Sequence, residues 1–152
     1  LYLTNKTKQM NTTNSKPSGS FWAISIIALL WNLMGVNQYI LMAYKSESVR
    51  AGLSAEKLAL IDATPVWSTA AFAIAVFAGA LGCIALLLRK KIAKFLFTTS
   101  FIGIVFQNID AFMRFKVSEF NGAELTITLL IPLIALFLIW YSTKCISKGW
   151  LK

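Results

Sequence analysis

Four long apolar runs, at 21–43, 66–88, 92–113 and 125–142, occupy most of the chain, and polar residues are confined largely to the gaps between them. An α-helix needs about 20 residues to cross about 30 Å of hydrocarbon, so each run has the length of one membrane span. The gaps carry helix-boundary chemistry. Thr64 can act as an N-cap with Pro65 at the first helical position of the second span. The stretch Ser54–Ile61 predicts a short helix lying on the membrane surface, with Leu58 and Ile61 facing down. Asn121-Gly122 reads as a turn before the fourth span. The second and third spans are joined by a link too short for anything but a tight antiparallel hairpin. The pattern predicts an all-α integral membrane four-helix bundle. A polar N-terminal tail (1–20) precedes a membrane domain (21–143), and a basic C-terminal tail (144–152) follows it. The two halves show no repeat.

Composition agrees with this reading. The chain of 152 residues is 57% hydrophobic, with a mean hydropathy of +0.67. A soluble domain of this size needs more polar surface to cover its core. Residues 21–43 are also too long for the apolar core of a signal peptide, which marks them as an anchor. Met10-Asn11-Thr12 reads as a natural start, with residues 1–9 as an upstream extension.

Charge sets the threading. Lys6, Lys8, Lys16, Arg89, Lys90, Lys91, Lys94, Lys144, Lys148 and Lys152 fall on one side of the expected bundle, with no acid among them. On the other side Lys45, Arg50, Lys57, Arg114 and Lys116 are offset by Glu47, Glu56, Asp62, Glu119 and Glu124. The positive-inside rule puts both termini in the cytoplasm and loops 44–65 and 114–124 outside. Aromatics fit belts at the two interfaces: Phe21, Trp22, Phe95, Phe97, Trp140 and Tyr141 inside, and Tyr39, Tyr44, Trp67, Phe112 and Phe115 outside. The same distribution explains the net charge of +9 without nucleic acid, for which there is no aromatic-plus-basic motif. Cys83 and Cys145 lack metal-ligand spacing and the chain has no histidine, so no metal or cofactor is expected. The sequons at Asn5 and Asn11 fall on the expected cytoplasmic side.

Two patterns lie inside the spans. Ala71, Ala75, Gly79 and Cys83 recur at steps of four, with Gly82 beside them. Small residues at this spacing let helix backbones approach closely, either within the bundle or at a dimer seam. Gly103, Gln107, Asp110 and Arg114 share one face of the third span, next to Asn108. Asn32, Asn37 and Gln38 supply amides in the first span. At 1.5 Å per residue, Gln38 and Gln107 both lie roughly 7–8 Å outward of their span centres. Asn32, Gln38, Gln107, Asn108, Asp110 and Arg114 therefore form a candidate polar pocket, open outward, for a small hydroxyl-rich solute. The competing reading makes the amides interhelical glue and pairs Asp110 with Arg114 one turn away. Pro132 predicts a kink in the fourth span.

No nucleophile–base pair, paired-carboxylate site or phosphate loop accompanies these residues, so no enzyme is expected. The segments Trp31-Asn32-Leu33-Met34-Gly35-Val36, Phe72–Phe77 through Gly79-Ala80-Leu81-Gly82, Arg89-Lys90-Lys91 and Trp140-Tyr141-Ser142 resemble a family of small bacterial four-helix membrane proteins often labelled sugar transporters. The resemblance covers most of residues 20–152 and implies a multi-pass protein of the bacterial inner (cytoplasmic) membrane. The chain lacks the Pro-Gln signature of the small sugar-transporting half-proteins. It also lacks the first-helix acid of the small multidrug exporters. Two functions fit. One is transport of a small, sugar-like solute by a homo-oligomer, since four helices rarely enclose a path. The other is a non-catalytic accessory subunit within a larger membrane complex. In both, the lipid bilayer is the first partner.

Overall fold

The computed structural model describes residues 16–152. The expectations for residues 1–15, including Lys6, Lys8, the start at Met10 and both sequons, lie outside the described residues. Among them, α1 spans Gly19–Ala43, α2 Glu47–Arg50, α3 Ala55–Asp62, α4 Val66–Leu87, α5 Ile92–Arg114 and α6 Gly122–Ser147. A 3-10 turn at Val117–Glu119 lies between α5 and α6. Helices α1, α4, α5 and α6 are each long and apolar enough to cross a membrane. No strand occurs among the described residues.

The long helices pack in chain order, α1 on α4, α4 on α5 and α5 on α6, with α4 and α5 the most intimate pair. The start of α1 and the turn after α6 lie at one end of the bundle, where the Phe21 ring meets Trp150 edge-on at 5.8 Å. We call this the terminal end and the opposite one the loop end.

Small residues explain why α4 sits centrally. Ala71, Ala75, Gly79, Gly82 and Cys83 are all buried. A Cβ on Gly82 would lie 2.7 Å from the Phe97 ring, and one on Gly79 would fall on Asn32 Oδ1. Opposite, a Cβ on Gly103 would lie 2.8 Å from the Ala71 carbonyl oxygen and 2.9 Å from the Ala75 nitrogen. The α4–α5 seam is thus closed by glycines of both helices, which lets backbone meet backbone. Ser100 donates to the Ala75 carbonyl at 2.6 Å and adds a polar tie.

Helix ends differ from the expectation in three places. Pro65, not Thr64, is the N-cap residue of α4. The Thr64 hydroxyl instead donates to the Ile61 carbonyl, because the end of α3 runs directly into α4. Asn121 caps α6 through a full capping box with Glu124, so the expected turn is a helix start. Helix α6 then continues to Ser147. It ends in a Schellman turn, with Gly149 at φ 71° and with Trp150 N–H donating to the Cys145 carbonyl. That turn folds Trp150 and Leu151 back into the core. The basic C-terminal tail is thus anchored: the Lys152 backbone N–H donates to the Arg89 carbonyl at 2.7 Å and that of Lys91 to the Lys152 carbonyl at 3.0 Å.

The aromatic belts also need correction. Phe21 and Phe97 are fully buried, because Phe97 fills the space over Gly82 and Phe21 packs on Trp150. Tyr141 is buried as well, whereas Trp22, Phe95, Trp140, Tyr44 and Trp67 are exposed.

Pro132 sits within α6, where it cannot bond the carbonyl of Thr128. Asn108 of α5 points its amide Nδ2 at that oxygen, at 3.5 Å. The side chain thus faces α6.

Candidate functional site: a polar vestibule at the loop end

At the loop end α1, α4 and α5 splay around a cavity of about 390 Å³, roofed by the segment that carries α2 and α3. Its walls include Tyr39, Ser68, Phe72, Gln107, Asp110 and Arg114, and its rim includes Lys45, Arg50 and Asp62. Ligand pockets run from about 300 to 1,000 Å³, so this one suits a small molecule.

The charged floor is an assembled network. Asp110 is 4% exposed. Its carboxylate accepts from Ser68 Oγ of α4 at 2.6 Å and from Arg114 Nε and NH2 at 2.9 and 2.5 Å. The pair spans one helical turn of α5, the spacing at which side chains meet. The other guanidinium nitrogen reaches away, donating to the Leu60 carbonyl at 2.7 Å and to Thr64 Oγ1 at 3.0 Å. One arginine therefore ties α5 to α3 and to the start of α4. Its planar fork is suited to holding a carboxylate and two oxygens at once.

The roof is held by three further ion pairs. Arg50 binds Asp62 through two parallel hydrogen bonds of 2.9 Å, joining α2 to α3. Lys45 adds a contact of 3.5 Å to the same carboxylate. Lys57 of α3 pairs with Glu124 of α6 at 2.7 Å. The hydrogen bonds from Arg50 hold the Asp62 carboxyl at about 2, below its ordinary value of 3.8. Leu58 and Ile61 are half-buried beneath α3, and Ile61 lines the cavity.

Two polar side chains of the wall differ from the rest. Gln107 and Tyr39 both line the cavity, are half-buried and hydrogen-bond to nothing among the described residues. An amide offers two donors and an acceptor, and a phenol one of each. The network beside them is consumed by the protein itself.

The structure brings Gln107, Asp110 and Arg114 of the six candidate residues together and places the other three elsewhere. Gln38 is exposed on the outer surface of α1. Tyr39, the next residue, turns inward in its stead, stacking edge-on with Phe72 at 5.5 Å. Asn108 faces α6. Asn32 lies deeper, where its Nδ2 donates to the Ala28 carbonyl at 2.8 Å and to Cys83 Sγ at 3.4 Å. It works as glue in the α1–α4 seam. Height along a helix is legible from residue number, but direction around it depends on the neighbour each face meets. Sequence reading found the α3 helix of the roof but missed Tyr39, Ser68 and the ion pairs that hold the roof. The signals for the roof were present as the charges of 45–62, which read there only as topology markers.

Among the described residues no group of His, Cys, Asp and Glu could hold a metal ion. No family model matches the chain, and no curated protein or solved structure matches it.

Proposed function

We propose that the chain is a multi-pass protein of a bacterial inner membrane, with both termini cytoplasmic, whose outward vestibule binds a small hydroxyl-rich solute for transport by an oligomer. The observation that carries the solute reading is the free amide of Gln107. It stands in a cavity whose charged groups are already paired with one another. A buried polar side chain without a partner costs about 1–3 kcal/mol if kept dry. Gln107 is half-buried at an open cavity, where a sugar hydroxyl can supply the missing partner. The floor below is closed by the glycine contact of Gly103 with α4. Passage through one copy therefore requires this seam to part, or the path to run between copies.

The charge asymmetry supports the orientation. Every acid of the chain lies in the outer half of this arrangement, and the terminal end is basic throughout.

A non-catalytic accessory subunit is the second reading, favoured by one observation. Asp110 and Arg114 are fully engaged in joining α3, α4 and α5, which a purely structural role explains by itself.

Gln107→Leu separates the two. Transport predicts that uptake of a sugar-like solute into proteoliposomes is abolished while the protein still accumulates and folds. Unchanged flux in the variant, or a hetero-complex retained in gentle detergent without any flux of the wild-type chain, overturns the transport reading.

A further inference from the structure

A second cavity, of about 280 Å³, lies at the terminal end between the first turns of α1 and the last turns of α6. Its α6 wall is graded. Phe137, Trp140, Lys144 and Lys148 follow at steps of three, four and four, which places them on one helix face. Ile24 and Phe137 make the deep wall apolar, and Ser18 with the two lysines makes the mouth polar. The Lys144 ammonium stands 4.9 Å from the Trp140 ring centre and that of Lys148 stands 4.5 Å from Trp150. Both cations are thereby held over the mouth by ring faces.

The six acidic residues of the chain all belong to the loop end, while Lys16, Arg89, Lys90, Lys91 and Lys94 add to the positive field at this one. The first turn of α1 likewise contains no acid. Apolar wall, aromatic collar and paired cations thus follow one another along about three helical turns. A phospholipid presents the same order as acyl chain, glycerol backbone and phosphate.

We propose that this groove is a binding site for an anionic phospholipid, with the phosphate between Lys144 and Lys148 and one chain along Ile24 and Phe137. The occupant is a lipid and not a soluble phosphate, because most of the lining is apolar and α1 and α6 both present large exposed apolar side chains to the bilayer beside it. Basic pockets between membrane helices at the cytoplasmic face hold headgroups by this chemistry. The site rests on the membrane-spanning reading of the helices and is independent of the vestibule.

The test uses the full chain with Trp22, Trp31 and Trp67 replaced by Phe, so that Trp140 and Trp150 report. It is reconstituted into phosphatidylcholine vesicles holding equal fractions of either brominated phosphatidylglycerol or brominated phosphatidylcholine. Tryptophan quenching by the anionic lipid should exceed that by the zwitterionic one. K144Q/K148Q should lower the relative affinity about fivefold per lysine, with quenching by brominated phosphatidylcholine unchanged as the control for folding. K90Q/K94Q, changed at the same end but outside the groove, should keep the preference. Equal quenching by the two headgroups overturns the proposal, as does a preference that survives K144Q/K148Q or falls equally in K90Q/K94Q. Loss of the preference in millimolar inorganic phosphate would assign the groove to a free anion and overturn the lipid. Quenching by neither lipid would overturn the spanning reading and this site with it, whereas loss of solute uptake bears on the vestibule alone.

Discussion

Polar side chains enter the bundle in two places, and the two are built on opposite terms. In the middle, Asn32, Cys83 and Ser100 sit in a dry seam where glycines bring the helices together. There the Asn32 Nδ2 and the Ser100 hydroxyl each have a partner within a helix or across one contact. At the loop end, Asp110, Arg114, Arg50 and Asp62 form ion pairs around an open cavity. Neutral amides and hydroxyls tolerate the apolar middle because one hydrogen bond satisfies much of their demand. Charges require several partners and some solvent. The comparison teaches that depth selects the kind of polar group, and that only the shallow group leaves room for a ligand.

The sharpest way to break the comparison is to thicken the seam. Gly103→Ala forces a methyl against backbone atoms of Ala71 and Ala75, which cannot rotate away. Overpacking of this kind costs about 1–3 kcal/mol. We expect the upper end of that range, read as a lower unfolding temperature in detergent and poorer accumulation. Gly79→Ala should cost less, since Asn32 can swing aside. A Gly103→Ala protein of unaltered stability would mean that the α4–α5 contact is looser than described.

Next in size is the vestibule floor. Asp110→Asn leaves Arg114 without its anionic partner, facing the neutral acceptors Thr64 Oγ1 and the Leu60 carbonyl. The cost should be about 2 kcal/mol, discounted from the value for a fully buried pair because the Arg114 side chain is 21% exposed. Arg114→Gln made in the same protein should recover part of that loss, since it removes the stranded cation. Strict additivity of the two changes in thermal unfolding would show that the residues do not act as a pair.

The smallest effect belongs to the roof. The Asp62 carboxyl is held at about 2 against an ordinary 3.8. A lowered value in the folded state means that its contribution is complete above about pH 4 and is lost as pH falls toward 2. Hydrogen exchange in residues 47–62 should quicken across that window in the wild type. Asp62→Asn should exchange fast at every pH, and a profile identical to the wild type would remove the roof ion pair from the account.

Much of the fold was legible along the chain. Apolar runs of the right length predict four helices, and the structure places them within a few residues, because a span is specified by a local property summed over about 20 residues. The small-residue stripe of α4 was legible for the same reason. The i,i+4 pair of Asp110 and Arg114 was legible too, since both partners lie on one helix. What was not legible lies between elements. Gln38 and Tyr39 differ by one position, or about a quarter of a helical turn, and only the place of α4 beside α1 decides which of them faces the cavity. Ser68 looked like any small residue until α5 brought Asp110 to it. Trp150 and Leu151 read as part of a charged tail, yet a positive φ at Gly149 returns them to the core.

The sequence by itself thus determined the helical class, the number and length of the long helices and the separation of acids from excess cations, all of which follow from hydropathy and charge summed over neighbours in the chain. Only the tertiary structure decided which polar groups share a cavity, which are consumed as glue, and that the two ends of α6 do different work. Those outcomes depend on rotation about helix axes and on close backbone approach, and both are set by partners distant in sequence.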